Sequence, residues 1–472
     1  MRGAAGAGAP SKRCVTVASS ECALDAEKQA YGKAHPPLTG CLTSDSTMPE
    51  PASQVPGGLR LHRWNEPAVI TLALLAMAAG FGQFGVIAAL ANVARSFGRV
   101  GPGATIADQA GLSGTDLGVG LAIIRLASLG GLPLAGLADR IGRRKVLIWT
   151  CAIGLGLTVL AAASPSYWWF VAIFAVGRPP LSATSAVAQV GAAEETSSAD
   201  RAKAIALIAA GYAVGTGLVA VVHGIANTAL GFRGLLGLAL VPLLLLPVLS
   251  RRLEEPDRFV AAEAGGTERL PVLGAIERPY RGRLAIVALL AFAVAVVTGP
   301  ANSFVFVYAQ SVLKMSAAMT AAMVVGAGAI GLGGLLAGRW LADHVGRRIT
   351  AGCALGVLAV CAIIAYSGSR IGLVAGYELG VFSGATFAPA AGALSNELFP
   401  TSVRASVAGW QVAAGVLGAT VGLVEFGAMA DVGNRFGFAG LVTFAPIVLV
   451  TVLFRALPET RGKEPEDLWH ST

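Results

Sequence analysis

Four charged residues stand inside long apolar runs: Arg125, Arg178, Glu378 and Glu425. A charge at the centre of a bilayer costs at least ~2.5 kcal/mol, so a chain that keeps one there gives it a partner or a task. The task an arginine suits is anion binding, because its planar fork grips a carboxylate through two parallel hydrogen bonds. Two arginines in one half of the chain therefore favour a carboxylate-bearing or otherwise anionic substrate. Arg178 precedes Pro179-Pro180, and a structural role, pairing with Glu378 or with a carbonyl, competes with substrate contact. Glu378 and Glu425 are the candidates for carrying a proton, although Glu425 also fits a solvated helix end. The neutral residues Gln83, Asn92, Asn302, Tyr308, Trp410 and Gln411 can donate and accept hydrogen bonds in a cavity, or equally tie neighbouring helices together.

Other chemistry finds little support. The five His are scattered, the six Cys form no C-x-x-C pair, and no metal or disulfide is expected. There is no Gly-x-x-x-x-Gly-Lys-Ser/Thr loop and no nucleophile–base constellation, so neither a cofactor nor an enzymatic activity is expected. A receptor would need a long signalling domain, for which the connecting loops are too short.

The elements that must position these residues follow from composition. Hydrophobic residues make up 55% of the 472 and charged ones 13%, with a mean hydropathy of +0.68. Soluble proteins carry about 25% charged residues, so most of this chain faces lipid or other apolar helices. Crossing a bilayer takes about 20 apolar residues. Twelve such segments are predicted near 68–95, 117–137, 145–163, 168–193, 203–222, 230–250, 284–311, 319–341, 349–367, 371–394, 404–427 and 436–456. The net charge of +8 reads as membrane orientation and not as nucleic-acid binding, because Arg140, Arg143, Arg144, Lys145, Arg339, Arg347, Arg348 and the arginines of 251–283 all fall in alternate loops. The positive-inside rule then puts both termini and that linker in the cytoplasm of a multi-pass cell-membrane protein. The expected organisation is a disordered cytoplasmic tail over 1–60, six-helix bundles over 61–250 and 284–456, the linker 251–283, and a tail over 457–472. A true start at Met48 is an alternative.

The chain repeats itself at a spacing of 203–204 residues. Leu137-Ala138-Asp139-Arg140-Ile141-Gly142-Arg143-Arg144 returns as Leu341-Ala342-Asp343-His344-Val345-Gly346-Arg347-Arg348. Glu194 and Arg201 return as Glu397 and Arg404, and Leu253-Glu254-Glu255-Pro256 returns as Leu457-Pro458-Glu459-Thr460. Each motif follows the second, fourth or sixth segment of its half. Parallel six-helix repeats about an axis along the membrane normal are a known transporter plan. Arg125 breaks the symmetry, with Ala329 in its place in the second half, which favours substrate binding over scaffolding. The twelve residues Asp139, Arg143, Arg144, Glu194, Arg201, Glu255, Asp343, Arg347, Arg348, Glu397, Arg404 and Glu459 would lie on one membrane face. Such a cluster can latch the cytoplasmic ends together in one state and must release them in the other.

These motifs carry a resemblance. Asp139-Arg140-x-Gly142-Arg143-Arg144 is similar to the signature loop between helices 2 and 3 of the major facilitator superfamily. Asn396-Glu397-Leu398-Phe399-Pro400-Thr401-x-x-Arg404, Leu253-Glu254-Glu255-Pro256-Asp257-Arg258-Phe259 and Pro458-Glu459-Thr460-Arg461-Gly462 resemble its sugar porters and metabolite–proton symporters. The usual glycine four residues before the signature Asp is Ala135 here and Arg339 in the second half. The resemblance implies an all-α fold of twelve helices in two pseudo-symmetric bundles and a cytoplasmic gate built from the charge clusters. The leading expectation is a proton-coupled importer of a small organic anion, acting as a monomer with the lipid bilayer, the small molecule and protons as partners. Drug efflux by proton antiport and an uncoupled sugar-type facilitator remain alternatives. Many metabolite–proton symporters carry an Asp in helix 1, where this chain has Gln83, so proton coupling would have to use another site.

Overall fold

The computed structural model describes residues 63–103, 105–255, 278–463 and 469. The expected tail over 1–60, the alternative start at Met48 and the 256–277 part of the linker lie outside them.

The apolar runs fold as helices because a helix satisfies every backbone N–H and C=O within its own segment, which lipid demands. The spans are α1 (Pro67–Phe97), α2 (Gly114–Ile141), α3 (Arg143–Ala161), α4 (Tyr167–Glu195), α5 (201–230), α6 (232–250), α7 (Arg278–Val312), α8 (Ala317–His344), α9 (Arg347–Ala365), α10 (Arg370–Glu397), α11 (Ser402–Gly433) and α12 (Phe436–Ala456). α5 and α6 run on through an apolar stretch of 50 residues. Gly231 divides it, with φ 54° and ψ −164°, a conformation open to glycine and costly for other residues. Twelve spans follow. α7 begins at Arg278, so the last six residues of the expected 251–283 linker are helical.

Alternate ends of the spans lie at one face, which carries the charge clusters; the other is the far face. Three spans start at the far face with a serine cap. Ser113, Ser316 and Ser369 accept from the N–H of Asp116, Met319 and Gly372, satisfying one of the donors a helix start leaves bare. The α1–α5 contact depends on glycine. A Cβ on Gly215 would stand 2.0 Å from the Met77 carbonyl, and one on Gly211 2.4 Å from the Ala73 carbonyl. This is the close approach that small residues permit in membranes.

The two halves meet toward the far face. There α2 packs on α11 and α5 on α8. A Cβ on Gly118 would lie 2.4 Å from the Leu423 carbonyl, and one on Gly224 2.6 Å from the Ala321 Cβ. Arg95 donates across the halves to the Gln310 carbonyl at 3.0 Å, and Gln310 Nε2 lies 2.8 Å from His223 Nε2.

Candidate functional site

At the charged face the sequence repeat becomes a structural one. Gly142 (φ 106°) and Gly346 (φ 125°) precede α3 and α9. The carboxylate of Glu255 accepts from the Arg143 and Arg144 N–H groups at the start of α3, the latter at 3.2 Å. Glu459 does the same for Arg347 at 2.9 Å and Arg348 at 3.1 Å at the start of α9. Both carboxylates thus sit on the positive end of a helix within their own half. Arg144 donates to the Ser250 carbonyl and Arg348 to the Leu457 carbonyl. Arg201 and Arg404 bond the Ala193 and Phe399 carbonyls, and Arg404 also lies 5.9 Å from the ring of Trp469.

The ion pairs are fewer. Arg143 bridges Asp139 and Glu194. In the second half Arg347 pairs with Glu397 at 2.9 Å, while Asp343 is exposed. Each of these contacts stays inside one half. The halves pack on each other toward the far face through α2–α11 and α5–α8, whereas these pairs lie within each half.

At membrane depth the two arginines come together. Arg125 on α2 and Arg178 on α4 lie within electrostatic reach of each other and of Tyr212 on α5. Arg178 donates to the Gln83 carbonyl at 3.1 Å, so it takes a carbonyl and not Glu378 as its partner. The Arg125 side chain makes no hydrogen bond or ion pair with a described residue, and its Nε is buried. Gln83, 6% exposed, donates to the Leu181 carbonyl at 3.0 Å and to Ser185 Oγ at 3.3 Å, and accepts from the Tyr212 hydroxyl at 3.4 Å. It is the knot that ties α1, α4 and α5 beneath the arginines.

The second half contributes neutral groups. Asn302 donates to the Thr298 carbonyl and accepts from the Tyr377 hydroxyl at 3.1 Å. With Thr298, Tyr366, Tyr377 and Gly384 it lines a cavity of about 320 Å³. Glu378 is half-buried on α10, facing Gly326 of α8. Glu425 is half-buried on α11. Neither carboxylate has a hydrogen bond or ion pair with a described residue.

Tyr308, Gln411, Asn92 and Trp410 do not line that cavity, although Gln411 and Asn92 line two others. Tyr308 is 1% exposed; its hydroxyl accepts from the Gly368 N–H at 2.8 Å and its ring packs on Tyr366 and Phe436. Gln411 donates to Ser395 at 2.7 Å, joining α11 to α10 beside Phe454. Asn92 donates to Asn227, joining α1 to α5. Trp410 is 42% exposed. Tyr212, Ser185, Thr298 and Tyr377 were absent from the expected set. They could have been found by collecting every hydroxyl within the apolar runs, at the expense of many that only back-bond their own helix.

The comparisons agree with this architecture. The chain is 27% identical over 381 residues to the "Probable 4-methylmuconolactone transporter" of Cupriavidus pinatubonensis, covering 76% of this chain and 85% of that one. Among solved structures it superposes on the inward-open xylose transporter XylE from E. coli with a TM-score of 0.66 at 19% identity, covering 85% of this chain and 99% of that one. It also superposes on a D-xylose–proton symporter with a TM-score of 0.63 at 21% identity, covering 84% and 99%. The family model of the Major Facilitator Superfamily matches residues 72–377 and 329–470. Those matches run through both repeats, and with twelve spans in two bundles they make this chain a member of the Major Facilitator Superfamily, a transport protein and not an enzyme.

Proposed function

We propose that this transporter carries a small organic anion across the cell membrane by alternating access, coupled to protons. The observation behind this reading is the pair Arg125 and Arg178 at membrane depth. Two guanidinium groups near one another repel, and no carboxylate among the described residues offsets them. An anion from outside the protein would supply the missing charge, with the free fork of Arg125 gripping a carboxylate. Arg178 stands behind it, with Gln83 and Tyr212 holding its orientation. Thr298, Asn302 and Tyr377 would meet the neutral part of the substrate from the other half. The relative named for a lactone is consistent with a small metabolite, and the arginine pair favours an anion over a sugar.

Glu378 and Glu425 are the proton carriers in this scheme, since each is a carboxyl within a span that lacks a protein partner. The arginine-rich charged face is cytoplasmic, as are both termini. The closed far face is then the outer one. The protein is proposed to work as a monomer.

Uptake by purified protein in proteoliposomes tests the proposal, using labelled carboxylic acids, sugars and cationic drugs with and without an inward proton gradient. Gradient-stimulated uptake of one or more acids is expected. Uptake confined to neutral or cationic compounds would overturn the anion reading, and acid uptake indifferent to the gradient would overturn the coupling.

A further inference from the structure

The start of α2 is satisfied by two halves of the molecule at once. A helix start leaves its first N–H groups without partners. In α2 the Leu117 N–H reaches the Ser113 carbonyl at 3.1 Å, which begins the ladder. The Asp116 N–H goes to Ser113 Oγ at 2.9 Å. Gly114 and Thr115 remain. Their N–H groups donate to Asp431 Oδ1 at 2.7 Å and Oδ2 at 2.8 Å, and the Thr115 hydroxyl donates to Oδ2 at 2.6 Å. Asp431 stands near the end of α11, in the other half. Around it the backbones touch: a Cβ on Gly427 would lie 2.2 Å from the Gly114 carbonyl.

We infer that Asp431 is the outer latch of the transport cycle, a carboxylate that holds the far face shut by capping α2 across the halves. Glu255 and Glu459 use the same chemistry inside a single half, so rigid movement of the halves leaves their bonds intact. Asp431 spans the moving boundary. Its three bonds, and the favourable charge of a carboxylate on a helix N-terminus, exist only while the far face is closed. When that face opens, water takes over both partners and the cap is lost. The latch therefore biases the resting protein toward the state closed at the far face. Glycine at 114, 118 and 427 lets the two helices come close enough for it to form.

This inference rests on the alternating-access reading above but not on the identity of the substrate. The test is a distance measurement between spin labels on Val100→Cys and Ile371→Cys, in the full chain with its six native cysteines replaced by alanine. Both positions are exposed, at 55% and 83%, and lie at the far face in different halves. Asp431→Ala is expected to raise the long-distance population about fivefold, the factor that goes with losing one helix cap. Asp431→Asn, which keeps one acceptor oxygen and loses the charge, should raise it less and carries the test if the alanine variant fails to fold. Ser113→Ala removes the cap that lies within the first half and should leave the distances unchanged. Wild-type distances in both Asp431 variants would overturn the latch. So would a Ser113→Ala shift as large as that of Asp431→Ala, since fraying of α2 would then explain both. Failure of anion uptake with a normal Asp431 effect would overturn the substrate reading alone.

Discussion

In the proposed function the charge of the substrate is read from Arg125. A charge-assisted hydrogen bond contributes about 1.5–3 kcal/mol, and about 1.4 kcal/mol is tenfold in affinity. Arg125→Ala should therefore weaken binding of the anion by roughly 10- to 100-fold. Arg125→Lys keeps the charge but loses the fork, and should fall between the alanine variant and the wild type. Radioligand binding to purified protein measures both; an alanine variant that binds as well as the wild type removes Arg125 from the site. Glu378 allows a different separation. With Gln at 378 no proton can be carried there, so substrate exchange between the two sides should persist while gradient-driven accumulation disappears. Accumulation at the wild-type level would exclude Glu378 as the carrier. That Arg125 stands out was legible in the sequence because charge at membrane depth is costly wherever it occurs. Which carbonyl Arg178 takes was not, because a backbone carbonyl such as that of Gln83 leaves no mark in residue types. The same holds for Tyr308: a tyrosine in an apolar run fits a cavity wall or an aromatic core, and only the packing of Tyr366 and Phe436 around it decides.

At the scale of elements, the sequence located most spans to within a few residues, since length and apolarity determine them, but it ended the fifth at 222 and the eleventh at 427 and began the seventh at 284, where the helices run to 230, Gly433 and back to Arg278. The close approach of α1 and α5 rests on Gly211 and Gly215. What the sequence could not reveal was the use of helix ends. Glu255 and Glu459 read as members of a charge network, yet their carboxylates cap α3 and α9. Capping depends on where a chain returns after a whole helix has been placed, which spacing alone does not specify. The glycine contact yields a prediction about folding. With the Met77 carbonyl 2.0 Å from a Cβ at position 215, Gly215→Val must push α1 and α5 apart. Overpacking of this kind costs about 1–3 kcal/mol, so the variant should melt several degrees lower in detergent. Gly217→Val is the control, because its Cβ meets nothing within 4 Å. Equal melting temperatures for the two variants would contradict the packing argument.

For the molecule as a whole, the two halves repeat in plan but not in electrostatics, and that asymmetry bears on how the charged face works. Arg143 is held between Asp139 and Glu194, whereas Arg347 has Glu397 and leaves Asp343 exposed. Each of these pairs lies within one half, so movement of one half against the other does not by itself break them. In the proposed cycle they would keep Arg143 and Arg347 oriented at the starts of α3 and α9, ready to meet the opposite half when the charged face closes. Removing a carboxylate that already holds its arginine disturbs that readiness; removing one that holds nothing does not. Asp139→Asn should therefore slow transport by about fivefold, the effect of a change near 1 kcal/mol in the balance of states. Asp343→Asn should change the rate by less than about twofold. Membrane insertion should be normal in both, since Arg140, Arg143 and Arg144 still orient the loop. The measurement is the initial uptake rate per inserted molecule, with insertion quantified in the same membranes. Equal rates for the two variants would mean that the clusters serve topology in both halves alike, and that the control of this face lies in the helix contacts between them.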